Sequence, residues 1–318
     1  MLLSLAPMEG LTGHVFRRVH AEHFGALDRY YTPFLTPPHP GSSFGKRAAA
    51  ELDPANNRGL TVVPQLLTKD AGQFVWAAEV LAEMGYTEVN LNAGCPSGTV
   101  VAKGRGAGLL RDVEALDAFL QDVCARSPLA VSVKTRIGVV DDGEFEKILA
   151  MYCRHPLAEL IVHPRVQKDR YDGVPRRSIY AEALAAAPFP VAYNGDIFGE
   201  DDRDALLAAY PQTRHVMLGR GVLANPALAR VLRGGAALSR EELERFHDDL
   251  FDAYLAEIGG NAVFRMKEWW FYAQHAFANP LAVHRRVRKV RKVAEYRAAV
   301  EGIFASEAFA AIARFDTK

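Results

Sequence analysis

Eight short apolar runs, each followed by a segment of helical spacing, constrain this chain more than any other feature. They fall at 2–5, 30–35, 61–66, 87–91, 129–134, 157–163, 190–193 and 215–218. Runs of this length bounded by Gly, Pro and Asn read as buried strands. No hairpin signal joins any of them, and strand alternating with helix builds parallel βα units. A count of eight favours a closed (β/α)8 TIM barrel over an open doubly wound sheet. Such a barrel takes roughly 250 residues, which leaves part of this 318-residue chain for something else. The break at Gly234-Gly235 divides it into a catalytic barrel, 1–235, and an all-helical remainder, 239–318. Helical pattern at 241–258, 262–277, 280–296 and 299–315 predicts a C-terminal bundle. Thr12 is expected to cap the first helix, 12–24.

The chain carries 38 basic and 38 acidic residues, so any nucleic-acid partner must be held by local basic patches. Three cysteines without paired spacing give neither a disulfide framework nor a zinc site, and no metal is expected. No apolar run reaches the ~20 residues of a membrane span. The opening Met1-Leu2-Leu3-Ser4-Leu5 lacks a basic flank and reads as a strand, which points to a cytoplasmic protein.

Chemistry concentrates where the strands end. Gln65, Asn92, Lys134, His163 and Asn194 each stand at or just past the carboxyl end of an apolar run, the face on which barrel enzymes keep their sites. Taken singly, each is a polar residue where a strand meets solvent; five in register are a site. Cys95 follows Asn92 in a loop broken by Gly94, Pro96 and Gly98, so a thiol is presented at the mouth. A second glycine-rich run, 103–108, reads as a mobile flap beside it. Asn194-Gly195-Asp196 and Gly219-Arg220-Gly221 close the last two units. A phosphate held by the loops after strands seven and eight recurs in this fold, and Arg220 suits it. With Lys134 and His163 inside, the arrangement suggests flavin mononucleotide (FMN). No Gly-x-Gly-x-x-Gly or Walker loop supports a dinucleotide or a triphosphate.

Ala6-Pro7-Met8-Glu9-Gly10, the Asn92-x-Gly94-Cys95-Pro96-Ser97 loop, Lys103-Gly104-x-Gly106-Ala107, Val133-Lys134-x-Arg136, His163-x-Arg165, Asn194-Gly195-Asp196 and Gly219-Arg220-Gly221 occur in this order. Together they resemble the tRNA-dihydrouridine synthases over the whole chain, with Met8-Glu9-Gly10 nearest the C-type bacterial subgroup. Pro164 departs from the family pattern, which has glycine there. The resemblance implies NADPH-dependent (or NADH-dependent) reduction of the C5–C6 bond of selected tRNA uridines through FMN, in an enzyme with no membrane role and, by expectation, a monomer. It implies flavin contacts from Pro7, Met8, Glu9, Gln65, Lys134, His163, Asn194, Gly195, Asp196, Gly219 and Arg220, and a proton donated to C5 by Cys95.

An unperturbed thiol is mostly protonated at neutral pH, so Cys95 can donate without tuning. Asn92 suits the uracil edge or the carbonyl where charge builds, and Lys103 belongs to the same substrate side. Arg136 and Arg165 either face RNA phosphate or pair with acids on neighbouring loops. A base must leave its stack to reach a barrel mouth, at a cost of a few kcal/mol, offset by backbone contacts. Two basic regions are candidates: the loop 165–177, and a face of helix 280–296 bearing Arg285, Arg288, Lys289 and Lys292 opposite a stripe of Val283, Val287, Val290 and Ala294. Met266, Trp269, Trp270, Ala273 and Phe277 read as bundle core. The residues alone also admit a different FMN barrel oxidoreductase acting on a small molecule, dihydroorotate dehydrogenase-like, or an RNA-binding module without redox chemistry.

Overall fold

The computed structural model describes residues 1–310. Nine parallel segments make one sheet: β1 Leu2–Leu5, β2 Arg29–Tyr31, β3 Val62–Val63, β4 Gln65–Leu66, β5 Glu88–Ala93, β6 Ala130–Arg136, β7 Glu159–His163, β8 Val191–Asn194 and β9 His215–Leu218. Their order, β3-β2-β1-β9-β8-β7-β6-β5-β4, ends on two segments separated only by Pro64. Proline has no N–H to give a ladder, so one stave is cut there. Its first half pairs with β2 and its second with β5, and the sheet closes as an eight-staved barrel. The Pro64 carbonyl still accepts from the Asn90 N–H at 2.8 Å. The second strand is shorter than its apolar run because Pro33 follows it; Leu35 rejoins the sheet only as a bridge to Leu66.

Strand residues alternate between the helices outside and the barrel interior. Ala6, Tyr31, Val63, Ile161, Ala192 and Met217 form an apolar layer inside, separate from the main core. One inward step toward the amino ends, His215 bonds Glu159 at 2.7 Å and Ser4 at 2.6 Å, a polar floor. One step toward the carboxyl ends come Gln65, Asn92, Lys134, His163 and Asn194. The alternation thus places all five sequence candidates in one layer at the mouth.

Thr12 is not the helix cap. Gly13 takes that place on His14–Phe24, with no side-chain cap. The Thr12 hydroxyl accepts from Met8 N at 2.8 Å and donates to the Ala6 carbonyl at 3.2 Å, pinning the loop after β1. Residues 46–57 form the helix Lys46–Leu52 and a turn, Pro54–Asn57, tied down by Arg17. Its fully buried guanidinium bonds Glu51 at 2.8 Å and Asn57 at 2.8 Å.

The C-terminal helices are Arg240–Ile258, Ala262–Ala273, Pro280–Arg288 and Val293–Ser306. The single helix expected at 280–296 is therefore two. Arg285 with Lys289, and Arg288 with Arg291 and Lys292, would set like charges at i,i+3 and i,i+4. The break relieves them, and the freed Val290 carbonyl accepts from Lys267 Nζ at 3.1 Å. It also turns Tyr296 into the core, where it meets His247 at 2.7 Å and Trp270 at 2.8 Å. The last helix ends at Ser306 rather than running through 299–315, and residues 311–315 of that span lie outside the described residues. Among the described residues no helix is long and apolar enough to cross a membrane.

Candidate active site at the barrel mouth

At the mouth lies a cavity of about 250 Å³ whose walls include Met8, Asn92, Cys95, Lys134, Arg136, His163, Tyr171 and Tyr272. It continues past Lys134 and His163 into a recess of about 60 Å³ lined by Asn194, Gly195, Asp196, Gly219 and Arg220. Pro7 and Met8 belong to both, and Glu9 to the outer cavity, where its carboxylate pairs with Arg47.

The Cys95 loop is fixed by Asn92, whose side-chain oxygen accepts from Gly94 N at 3.1 Å and Cys95 N at 2.9 Å. Asn92 Nδ2 in turn donates to Gln65 Oε1 at 2.8 Å. Part of the Asn92 amide is thus used to hold the loop rather than a ligand. Burial pushes the Cys95 thiol above its ordinary pKa, against the pull of Arg136 and Lys134, so it keeps its proton at neutral pH. The glycine-rich run beside it is not a flap. Gly106–Arg111 is a 3-10 turn with residues 106–110 buried, and Ala107 N donates to the Cys95 carbonyl at 3.0 Å. Gly106 sits at φ +57°, and a Cβ there would come within 2.9 Å of Cys95 Cβ. Only glycine fits that approach. Lys103, at the outer end of this run, is exposed.

Lys134 has no ion-pair partner among the described residues, and burial, with Arg136 beside it, brings its pKa down to about 7. His163 is buried among four cations, Lys134, Arg136, Arg165 and Arg220; burial first, then their charges, push its pKa well below 6.5, so it is neutral. Its Nε2 lies 3.1 Å from Arg165 Nη1. Arginine only donates, so Nε2 accepts and the ring proton sits on Nδ1.

Arg136 and Arg165 are both essentially buried. Arg136 donates to the Gly94 carbonyl at 2.9 Å and the Val166 carbonyl at 2.8 Å; burial brings its pKa down to about 10. Arg165 resolves toward ion pairing: it meets Asp196 at 2.6 Å and the Asp172 carbonyl at 3.1 Å. Asp196 also takes Arg220 at 2.5 Å. Its carboxylate is therefore committed to two guanidiniums, and it sets Arg220 at the recess. Arg176 on the same basic loop pairs with Asp142 at 2.9 Å and Asp169 at 2.5 Å. That loop carries less free charge than its composition suggests.

The C-terminal candidates remain outward. Arg285, Arg288, Lys289 and Lys292 are exposed, though on one helix and the joint that follows it rather than one helical face. Val283 and Val287 are buried, Val290 is half-buried and Ala294 is exposed, so the apolar stripe ends with the first of these helices. Met266, Trp269, Trp270, Ala273 and Phe277 are buried as bundle core.

Sequence reasoning missed several walls, Leu11, Phe34, Ile197 and Phe198 among them, and two tyrosines. Tyr171 lies between the Arg136 and Arg220 guanidiniums, 5.4 and 5.2 Å from its ring centre. Tyr272 reaches the cavity from the bundle. An aromatic within an arginine-rich loop was a signal for the first; no periodicity marks the second.

A phosphomonoester suits this recess. Lys134 and Arg220 flank it, Asp196 is the acid beside them and is shared by two arginines, and Gly195, Gly219 and Gly221 expose backbone. A Cβ on Gly219 would stand 3.5 Å from Met8 Sδ, narrowing the passage. Together the cavity and recess reach the lower end of ligand pockets, about 300–1,000 Å³.

Residues 4–303 match the family model described as dihydrouridine synthase (Dus). The chain belongs to the dihydrouridine synthase family. It is 29% identical to the tRNA-dihydrouridine(16) synthase of Cupriavidus necator, covering 95% of this chain and 97% of that protein. It is 30% identical to the protein of the same name from Ralstonia nicotianae, covering 94% and 95%. Among solved structures, morphinone reductase superposes with a TM-score of 0.54 at 13% identity, covering 77% of this chain and 88% of that one. The old yellow enzyme homologue of Zymomonas mobilis gives 0.51 at 12% identity, covering 77% and 91%. At these identities the likeness is one of fold: a TIM barrel, here followed by helices.

Proposed function

We propose that this member of the family reduces the C5–C6 bond of a uridine in tRNA, at position 16, with FMN as cofactor, NADPH or NADH as reductant and Cys95 as proton donor. The observation that carries the reading is a protonated, anchored thiol sharing one cavity with Lys134 and neutral His163, beside a cationic recess. Position 16 is supported by the names of the relatives that align along nearly their full length.

Pro7, Met8, Lys134, His163, Asn194 and Gly195 would hold the flavin, with Gly219 and Arg220 on its phosphate and Asp196 fixing Arg220; Gln65, wholly buried and lining neither cavity, holds Asn92 instead. Bound there, FMN supplies hydride chemistry, passing two electrons from a nicotinamide to C6 of the base. The residues do the rest. Cys95 Sγ holds a proton above neutral pH and releases it to C5 as charge develops there; solvent then restores it. The balance is uridine, NADPH and a proton giving dihydrouridine and NADP+. Lys134, with a pKa near 7, can carry or shed a proton beside a ligand whose charge changes. The extruded base enters between the Cys95 loop and Tyr272, and exposed Arg285, Arg288, Lys289 and Lys292 hold RNA phosphates.

Dihydrouridine mapping in tRNA from cells with and without this chain tests the reading; loss of the modified base at position 16 alone is expected. Cys95→Ala should keep the yellow cofactor and its reduction by NADPH while tRNA reduction falls about 10²-fold or more, the scale of general acid catalysis. A Cys95→Ala enzyme with full activity would remove Cys95 from the chemistry.

A further inference from the structure

The bonds that hold the Cys95 loop do not stop at Gln65. Gln65 Nε2 donates to Asn90 Oδ1 at 2.8 Å, Asn90 Nδ2 to Ser132 Oγ at 2.9 Å, and Ser132 Oγ to Glu88 Oε1 at 2.6 Å. Gln65, Asn90 and Ser132 are wholly buried inside the barrel. Strand register makes the line: Gln65 lies opposite Asn90, and Asn90 opposite Ser132.

The direction of every bond in it is forced. Two backbone N–H groups, of Gly94 and Cys95, meet Asn92 on one atom, which must be oxygen. Asn92 nitrogen then faces Gln65 oxygen, Gln65 nitrogen faces Asn90 oxygen, and Asn90 nitrogen faces the Ser132 hydroxyl. At the far end Glu88 accepts the remaining hydroxyl proton. An acceptor-rich carboxyl at one end and two obligatory donors at the other impose the same polarity, so each bond strengthens the next. No amide in the line can flip without stranding a buried polar atom.

We infer that Asn90, through Gln65 and Asn92, is a positioning residue for the Cys95 loop: its carboxamide fixes where the thiol stands and which face of the Gln65 amide is a donor. This rests on Cys95 being the proton donor. Asn90 touches neither cavity, and nothing in its own packing explains a carboxamide where the rest of its interior layer is largely apolar. Loss of its oxygen leaves Gln65 Nε2 without an acceptor. The Gln65 and Asn92 amides are then free to rotate, and with them the backbone that aims Cys95.

The test compares three variants of the full-length, flavin-loaded protein. Asn90→Leu fills the same space without an acceptor; Asn90→Asp keeps one for Gln65; Ser132→Ala removes only the outer link. For Asn90→Leu, alkylation of Cys95 by iodoacetamide, followed by mass spectrometry of the Cys95 peptide, should accelerate about fivefold or more. Its kcat on tRNA should fall about tenfold at an unchanged KM, with the rate of flavin reduction by NADPH unaltered. Asn90→Asp should stay within twofold of the parent on both measures, and Ser132→Ala should fall between. Should Asn90→Leu not fold, Ser132→Ala against the parent still decides: an unchanged alkylation rate and kcat overturns the inference. So does an Asn90→Asp protein as impaired as Asn90→Leu, since packing rather than the acceptor would then matter. Alkylation needs no tRNA, so a protein inactive on tRNA whose thiol still responds to Asn90 fails the functional reading and leaves the positioning intact.

Discussion

Lys134 shows how one side chain registers the character of the site. Its ammonium stands beside the Arg136 guanidinium, and burial first, then that charge, brings its pKa down to about 7 from the ~10.4 of an unfolded chain. Below pH 7 both states are protonated, and the folded protein bears the whole cost of a charged amine in a cationic cleft. Between about pH 7 and 10 the folded chain sheds the proton that the unfolded chain keeps, so that cost fades as pH rises. Lys134→Met removes it. The variant, stripped of flavin, is expected to exceed the parent in stability by on the order of 1–2 kcal/mol at pH 6, a fraction of the ~1.4 kcal/mol per pKa unit that the full shift would give, shrinking toward zero near pH 10. Urea unfolding at pH 6 and near pH 10 measures this, and an equal gain at both would show that Lys134 does not titrate where its surroundings place it. The same substitution should weaken FMN retention, because the group that is costly alone becomes favourable against an anion.

At the scale of elements, the barrel staves were legible because period and position coincide. Gln65, Asn92, Lys134, His163 and Asn194 could be read as one layer from strand ends alone. The line through Asn90 and Ser132 could not, because its members join only through register between strands, which sequence does not carry. Nor could the commitment of Arg165 to Asp196, which spans two loops. The segment 280–296 departs from its pattern for a different reason. Its valine stripe holds through Val287 and then yields to charge repulsion among Arg285, Arg288, Lys289, Arg291 and Lys292, a cost that periodicity ignores. The break bears on binding, since it takes Lys289, Arg291 and Lys292 off the helix and leaves them exposed in the joint. Replacing Arg285, Arg288, Lys289 and Lys292 by Gln is expected to raise KM for tRNA while leaving flavin reduction unaffected. It should also flatten the salt dependence, by roughly 0.7–0.9 in the slope of log K against log salt for each RNA phosphate that is no longer neutralised. An unchanged slope would place the RNA elsewhere.

The barrel and the C-terminal helices behave as one body, because their apolar residues form one contiguous core. Helix Arg240–Ile258 packs on His14–Phe24, and Phe246 is the joint: its ring lies 5.9 Å from Phe16, 5.3 Å from Phe24 and 5.9 Å from Trp269. The joint bears on chemistry, since the bundle brings Tyr272 to the cavity and Arg265 donates to the Gly10 carbonyl in the loop after β1. The inner recess, by contrast, is built from the barrel alone. Phe246→Ala removes a fully buried ring and is expected to cost about 3–5 kcal/mol. Because both units share that core, far-UV circular dichroism and tryptophan fluorescence should move together to lower denaturant, with Trp269 and Trp270 reporting the bundle and Trp76 the barrel. In the folded variant the Tyr272 wall is held less firmly, so KM for tRNA should rise several-fold while FMN affinity stays within twofold. Two separated transitions, or a loss of FMN that parallels the loss of tRNA binding, would mean that the bundle is not the element that completes the substrate side of the site.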